Sequence, residues 1–377
     1  MSNVTSPFLQ HGREVFVVDA VRTPIGRAHP EKGAFRDTHA VTLLRECLTA
    51  LMDRSGIEPA EVDDVMTGCV NQFGEQSRNI ARSAWLAAGY PYEVPATTVD
   101  RRCGSAQSAM AFAAAMIASG TLDVVVAAGV EHMQHIPIDA HVKVSDLYGS
   151  PWPPDLLERY DFIPQGLSAE LIADRWDISR EAMDELAVGS HARAVQAAEE
   201  GRFARELVPV ETPHGTVALD QGLRPTTSME SLGALRTVFK EDGRITAGTS
   251  SQLSDGASAV LFAGRDAVDR LGLVPRARIV DQVTVGVDPI IMLTGPIPAT
   301  RKLLRRTGLT IDDLDLMEVN EAFASVVLAW QRELGADLEK TNVNGGAMAL
   351  GHPVGSTGTR LTATLLNDSS GPTTNSV

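Results

Sequence analysis

The 377-residue sequence has little cysteine: Cys47, Cys69 and Cys103 are the whole set. Three sparse thiols offer no metal-ligand spacing and fit a reducing compartment, so each is read singly. Long apolar runs are also missing, and no stretch approaches the roughly 20 residues that cross a bilayer. The start, Met-Ser-Asn-Val-Thr-Ser-Pro-Phe, lacks the basic flank and apolar run of a secretory signal. A cytoplasmic protein without a membrane span is expected. Positive charge is in deficit, with a formal net charge of −15, which argues against a nucleic-acid surface. An anionic ligand must be met by local Arg, Lys or helix N-termini acting against that mean field.

What is present describes a globular chain of two or three domains, 44% hydrophobic and 21% charged. From Glu14 it reads strand, Gly/Pro turn, helix (about Ala40 to Ser55) and strand (Val62 to Cys69). After a further helix come a strand at Ala96 to Val99, an apolar helix from Ser105 to Ser119 closed by Gly120, and the β-rich run from Leu122. Strands alternating with helices predict parallel βαβ units, and near-continuous apolar strands predict a sheet covered on both faces. A second version begins at Arg276-Ala-Arg-Ile-Val-Asp. Gly56-Ile-Glu-Pro-Ala-Glu-Val-Asp-Asp-Val-Met is paralleled by Gly308-Leu-Thr-Ile-Asp-Asp-Leu-Asp-Leu-Met, a helix end passing through an acidic turn into a buried strand. The chain reads as two related α/β halves. Residues from about His135 to Ala247 differ, Pro-rich at Pro151, then helical and charged from Ser179 to Phe203, and look like an insertion that caps a site.

Three places carry chemistry. Asn342 to Gly358 contains five glycines and His352; it reads as an active-site loop with a near-neutral titrating group, or equally as a tight connection around a buried histidine. Cys103 follows a strand and precedes an apolar helix, with Arg101 and Arg102 beside it. That setting favours a thiolate, although a small buried hydrophobe is the alternative. Cys47 and Cys69 read as structural. Asn320-Glu321 ends the apolar run from Leu314, where strand C-termini present a site; Asn320 polarises a carbonyl or orients a water there, or simply caps a helix. Together they make a nucleophile, base and oxyanion set.

With these residues in place the sequence resembles the thiolase family, the acyl-CoA acetyltransferases, over nearly its whole length. The blocks run in family order: Val18-Asp-Ala-Val-Arg-Thr-Pro-Ile-Gly, Cys103-Gly-Ser, Ala128-Gly-Val-Glu-His-Met, Thr246-Ala-Gly-Thr-Ser-Ser-Gln-Leu-Ser-Asp-Gly-Ala, Asn320-Glu-Ala-Phe-Ala and Gly345-Gly-Ala-Met-Ala-Leu-Gly-His-Pro. Val-Glu-His-Met leans toward degradative 3-ketoacyl-CoA thiolases, and Gly68-Cys-Val-Asn-Gln-Phe-Gly-Glu-Gln-Ser is similar to steroid-degrading actinobacterial ones. The resemblance implies an α/β fold of duplicated βαβαβαββ halves in a five-layer αβαβα arrangement with an inserted loop domain. The N-terminal half would comprise residues 1–134 plus 248–270, the insertion 135–247 and the C-terminal half 271–377. It implies that Cys103 attacks a 3-ketoacyl-CoA and becomes acylated, that coenzyme A then cleaves the acyl-enzyme, and that His352 takes the thiol proton. Asn320 would hold a water in the same oxyanion hole, Ser251 would contact the pantetheine arm, and Arg224 would meet the nucleotide. Coenzyme A is implied as substrate, with no tightly bound cofactor and no metal, and the partner is implied to be another copy in a homodimer or homotetramer.

There are departures. Ala106 replaces the usual glycine after Cys-Gly-Ser and is expected to tighten the pocket, while Gln165-Gly166 replaces a Met-Gly and is expected to alter acyl specificity. After Asp368 the chain ends in Ser-Ser-Gly-Pro-Thr-Thr-Asn-Ser-Val, where the family has two more strands and a Cys-x-Gly-Gly-Gly loop whose cysteine moves a proton. The last two strands of the second half are therefore expected to be missing, its sheet to have an unpaired inner edge, and turnover to be impaired. The alternative is a non-catalytic acyl-CoA-binding or assembly subunit. A ketoacyl-synthase-type enzyme is disfavoured by the Asn-Glu-Ala-Phe and Gly-His-Pro blocks.

Overall fold

The computed structural model describes residue 8 and residues 12–368; the sequence readings at Met1 to Pro7 and in the polar tail from Ser369 lie outside the described residues. β1 (Val15–Arg22), β2 (Asp64–Gly68), β3 (Ala96–Val99), β4 (Val124–His132), β5 (Ser254–Gly264) and β6 (Ala277–Arg278) form one sheet in the order β3-β2-β4-β5-β1-β6, with Gly26–Arg27 also pairing on β5. β2 runs parallel to β3 and β4, as the βαβ reading predicts, whereas β5 is antiparallel to β4 and β1. Every residue of β1, β4 and β5 is buried, which a sheet clad on both faces requires.

The cladding follows from helix patterning. α1 (Ala40–Ser55) buries Leu43, Leu44, Cys47, Leu48, Leu51 and Met52 on one stripe. It stops at Gly56, whose φ of 67° lets its N–H reach Met52 O. α2 (Ile80–Ala87) joins it on the same side of the core. α3 (Ser105–Ala118) covers the other face with Ala106, Ala109, Ala113, Ala114 and Ile117; side chains this small let helix and sheet approach closely. α6 (Arg265–Leu271) follows β5, and α9 (Thr357–Asn367) packs on α3, β1 and β5.

After β4 the chain leaves the sheet. It returns only at β5, having formed α4 (Gln165–Arg175) and α5 (Arg180–Glu199). These two helices share a second core with α8 (Ala324–Leu334), built from Ile172, Met183, Phe323, Val327, Trp330 and Met348. α7 (Pro296–Thr307) ends at Gly308 with φ 74° and leads through a 3₁₀ turn at Ile311–Asp313 toward Met317. That repeats the path from α1 through Gly56 and the 3₁₀ turn at Pro59–Glu61 into β2, the internal likeness seen in the sequence.

One expectation is corrected. Among the described residues the second half has no sheet of its own: the Leu314–Asn320 run is held by a single parallel bridge, Met317 to Thr341. The Arg276–Asp281 strand shrinks to β6, which joins the first sheet beside β1 through Phe16–Arg278 and Val17–Ala277. A strand needs ladder partners to persist. Among the described residues the second-half backbone pairs only at β6 and at the one-residue bridges Met317–Thr341 and Ser250–Phe323, so no ladder of a second sheet is formed there.

The excursion between β4 and β5 is tied to the sheet by a buried cation. Arg22, at the end of β1 and fully buried, donates from Nε to Glu206 Oε1 at 2.6 Å and from Nη1 and Nη2 to Asp220 at 2.6 and 2.8 Å. Removing one member of such a buried set leaves uncompensated charge. Arg22→Ala is expected to lower stability by about 3–5 kcal/mol, read as a reduced urea midpoint in equilibrium denaturation.

Candidate active site

Cys103 lies in the turn between β3 and α3, half-buried, two residues before the helix begins. Its neighbours correct the expected thiolate. Arg101 is turned away, donating from Nη1 to Ser108 Oγ at 2.9 Å and lying over the Phe112 ring, and Arg102 is exposed. Burial pushes the Cys103 thiol up to about 11, and the Glu131 carboxylate pushes the same way, against a hydrogen bond with Gln165 and the charge of Arg102. In the free protein Cys103 is a thiol. Cys47 and Cys69 are fully buried in the apolar core, which also raises them.

His352 sits in the Gly-rich loop, 4% exposed. Its backbone N–H donates to Ser254 Oγ at 3.1 Å and Gln252 O at 3.3 Å. Thr357 donates its hydroxyl to Pro353 O, so its oxygen accepts from His352 Nδ1, 2.5 Å away. The ring therefore carries its proton on Nδ1 and presents the Nε2 lone pair to Asn320, whose Nδ2 donates across 3.3 Å. Burial, reinforced by the Arg360 charge, depresses the imidazole to about 3, which keeps it neutral. Gly351 makes the turn into His352 with φ 115°, and a Cβ there would stand 2.3 Å from Ser254 Oγ.

Asn320 is not a helix cap; Phe323 occupies that position of α8. The neighbouring Glu321 is structural. It is buried and accepts from Ser190 Oγ (2.7 Å), Asn342 Nδ2 (3.0 Å) and Met348 N (3.2 Å), joining insertion, second half and loop.

Cys103 and Asn320 line one cavity of 740 Å³, whose wall continues through Gln165, Met110, Phe262 and Val326. His352 touches Asn320 through Nε2, and Cys103 packs against the small cluster of Val70, Met133 and Val354. The structure thus places Asn320 in contact with His352, and Cys103 on the same cavity as Asn320. Ser251 and Arg224 are elsewhere. Ser251 N donates to Ala322 O at 2.9 Å, and exposed Arg224 reaches Gln252 Oε1 at 3.5 Å. Gln252 in turn donates to Gly222, Met348 and Ala349 carbonyls at 3.0–3.1 Å, so these residues form a rim beside the histidine loop.

Ala106 does not tighten the cavity as expected: it is buried on the opposite side, where a Cβ on Gly129 would meet its own at 2.9 Å. Sequence reasoning missed Thr357, which sets the histidine tautomer, and Gln165 as a direct partner of Cys103. A hydroxyl five residues after His352 was available as a signal; the Gln165 contact spans 62 residues and left none.

Two family models cover the chain: the thiolase N-terminal domain matches residues 15–266 and the thiolase C-terminal domain residues 273–371. The chain belongs to the thiolase family. The second match extends the likeness through residue 371, into the polar stretch where the sequence reading ended it. Relatives include the steroid 3-ketoacyl-CoA thiolase FadA6 of Mycobacterium tuberculosis, 49% identical over 94% of this chain and 88% of that protein. A 3-ketoacyl-CoA thiolase of Marinobacter nauticus is 45% identical over 94% and 91%. Human mitochondrial 3-ketoacyl-CoA thiolase in complex with CoA superposes with a TM-score of 0.86 at 36% identity, covering 97% of this chain and 93% of that one. This thiolase is a mixed α/β protein and a thiolytic acyltransferase. No helix among its described residues is long and apolar enough to cross a membrane.

Because its pKa is near 11, Cys103 in the ligand-free protein should alkylate slowly at pH 7. The rate should rise by about tenfold per pH unit toward pH 10 as the thiolate fraction grows. Peptide mapping after iodoacetamide treatment reads this, with Cys47 and Cys69 expected to stay unlabelled until the protein unfolds.

Proposed function

We propose that this thiolase cleaves a 3-ketoacyl-CoA through an acyl-Cys103 intermediate. Cys103 Sγ attacks the keto carbon, the bond between C2 and C3 breaks, and acetyl-CoA leaves; the thiol of coenzyme A then attacks the acyl carbon and regenerates Cys103. His352 Nε2 takes the Cys103 proton as sulfur attacks. With the thiol near 11 and the imidazole near 3, the proton stays on sulfur in the free enzyme, so its transfer accompanies bond formation rather than preceding it. Asn320 Oδ1, buried without a partner, accepts from a water whose other proton is donated to the carbonyl oxygen, where negative charge develops. The observation that carries this reading is the contact of Asn320 with His352 at 3.3 Å on the wall that also holds Cys103.

The 740 Å³ cavity, lined by Met110, Phe262, Ile279, Met292, Leu293 and Val326, receives the acyl chain, and its size suits a bulky polycyclic or long acyl group. Coenzyme A lies along the rim of Ser251 and Arg224, a cationic point in an acidic protein. The name of the 49% identical relative supports a steroid-derived acyl group. The division at 1–134 plus 248–270, 135–247 and 271–377 is supported by departure from the sheet after β4 and return at β5. Work in the cytoplasm and assembly as a homodimer or homotetramer complete the reading.

Incubation with acetoacetyl-CoA and coenzyme A tests the proposal. Wild type should form acetyl-CoA and carry a transient acyl mass on Cys103; Cys103→Ala should lose both. Asn320→Ala should lower kcat by about 10²–10³-fold while the acyl mass on Cys103 persists. Calorimetric binding of coenzyme A with no acylation of Cys103 would instead identify a non-catalytic acyl-CoA-binding subunit.

A further inference from the structure

Two carboxyl groups share the cavity wall with Cys103. Asp281 is committed, accepting from Arg306 Nε and Nη2 at 2.7 and 2.8 Å. Glu318 is not. It alternates with buried neighbours: Met317 and Val319 point into the second core, while Glu318 and Asn320 face the cavity, the period-two pattern of extended chain. The Glu318 side chain is 6% exposed, and its Oε2 lies 3.6 Å from Arg360 Nη1, beyond hydrogen-bond length. Glu318 Oε2 and all three guanidinium nitrogens of Arg360 are buried without hydrogen-bond partners. Oε2 of this carboxyl is thus locked to no donor, and one cation stands close enough to offset its charge when the proton leaves.

We propose that Glu318 is a second proton-transfer group of the Cys103 site. The assignment rests on the acyl-Cys103 reading above. When the C2–C3 bond breaks, its electron pair remains on C2 as the enolate of acetyl-CoA; the Glu318 carboxylic acid gives its proton to C2 and becomes a carboxylate beside Arg360. In the second half, that carboxylate takes the proton of the coenzyme A thiol as sulfur bonds to the acyl carbon. The pair of the broken C–Sγ bond returns to Cys103, which recovers its proton from His352. Glu318 gives one proton and regains one in each cycle. The surroundings suit a group that holds its proton near neutrality. Burial raises Glu318 to about 8 against the pull of Arg360, with Glu321, Glu206 and Asp368 raising it further. Cys47 and Cys69 lie in the core, so among the described residues no other thiol lines this cavity.

Reversal of the first step gives a readout independent of turnover: exchange of the acetyl-CoA methyl protons with deuterium, followed by NMR. Proton abstraction needs the carboxylate, so the wild-type exchange rate should rise as pH increases through about 8 and then level. Glu318→Gln should lower it by about 10²–10³-fold and erase that step, with iodoacetamide labelling of Cys103 unchanged; Glu318→Asp should restore part of the rate. Exchange within threefold of wild type in Glu318→Gln would overturn the proposal. Should that variant unfold, wild-type exchange that is flat from pH 6 to 10, with an Asp variant at full rate, would overturn it equally. A wild type that is neither acylated on Cys103 nor competent in exchange defeats the reading of the whole site. Acylation with exchange indifferent to Glu318 defeats this assignment alone.

Discussion

The site depends on a backbone contact between the two halves of the chain. A Cβ on Gly129 of β4 would lie 2.5 Å from Gly355 O, and one on Gly355 would lie 2.5 Å from Val130 O and 2.6 Å from the Glu131 carboxylate. No side chain fits there, so the loop after His352 rests directly on the sheet. That seat puts Val354 in the cluster against which Cys103 packs and starts α9, whose Thr357 and Arg360 act on His352 and Glu318. A loop held further out would leave the histidine and the thiol in separate pockets.

Burial follows from the same closeness and governs the chemistry. Three groups at the site move toward their neutral forms, chiefly through desolvation: Cys103 and Glu318 upward, His352 downward. At rest Cys103, Glu318 and His352 are thus held toward neutrality, and the charge that develops on them as substrate reacts meets fixed dipoles and the Arg360 cation. The helix N-terminus and paired arginines that made Cys103 look like a thiolate proved the weaker influence. One arginine is engaged by Ser108 and Phe112, the other is in water, and desolvation outweighs both.

Much of the first half was legible because its signals are local. α1 over Ala40–Ser55 and β3 over Ala96–Val99 coincide with their predicted spans, since apolar stripes, a left-handed Gly56 and a turn before Ala96 mark them within a few residues. The second half was less legible. Its apolar run Leu314–Asn320 has the composition of a strand, yet whether such a run joins a sheet depends on a neighbour supplied from elsewhere in the chain, and only Thr341 is there. Cys103, Asn320 and His352 could be picked out singly by residue type and position; their family order made them a set.

The sequence by itself determined the α/β class, the helix and strand rhythm up to β4 and the acyltransferase family, and it singled out Cys103, Asn320 and His352 as candidates, because these rest on short-range pattern and on motif. Tertiary structure decided which atoms meet. Asn320 faces His352 rather than capping a helix, Thr357 chooses the imidazole tautomer, Ala106 packs away from the cavity, and Glu318 joins Cys103 on its wall. The reason is physical: proton affinity, burial and hydrogen bonding are properties of a neighbourhood whose members, such as Cys103 and His352, lie up to about 250 positions apart, and that neighbourhood exists only once the Gly355 loop is seated on the sheet.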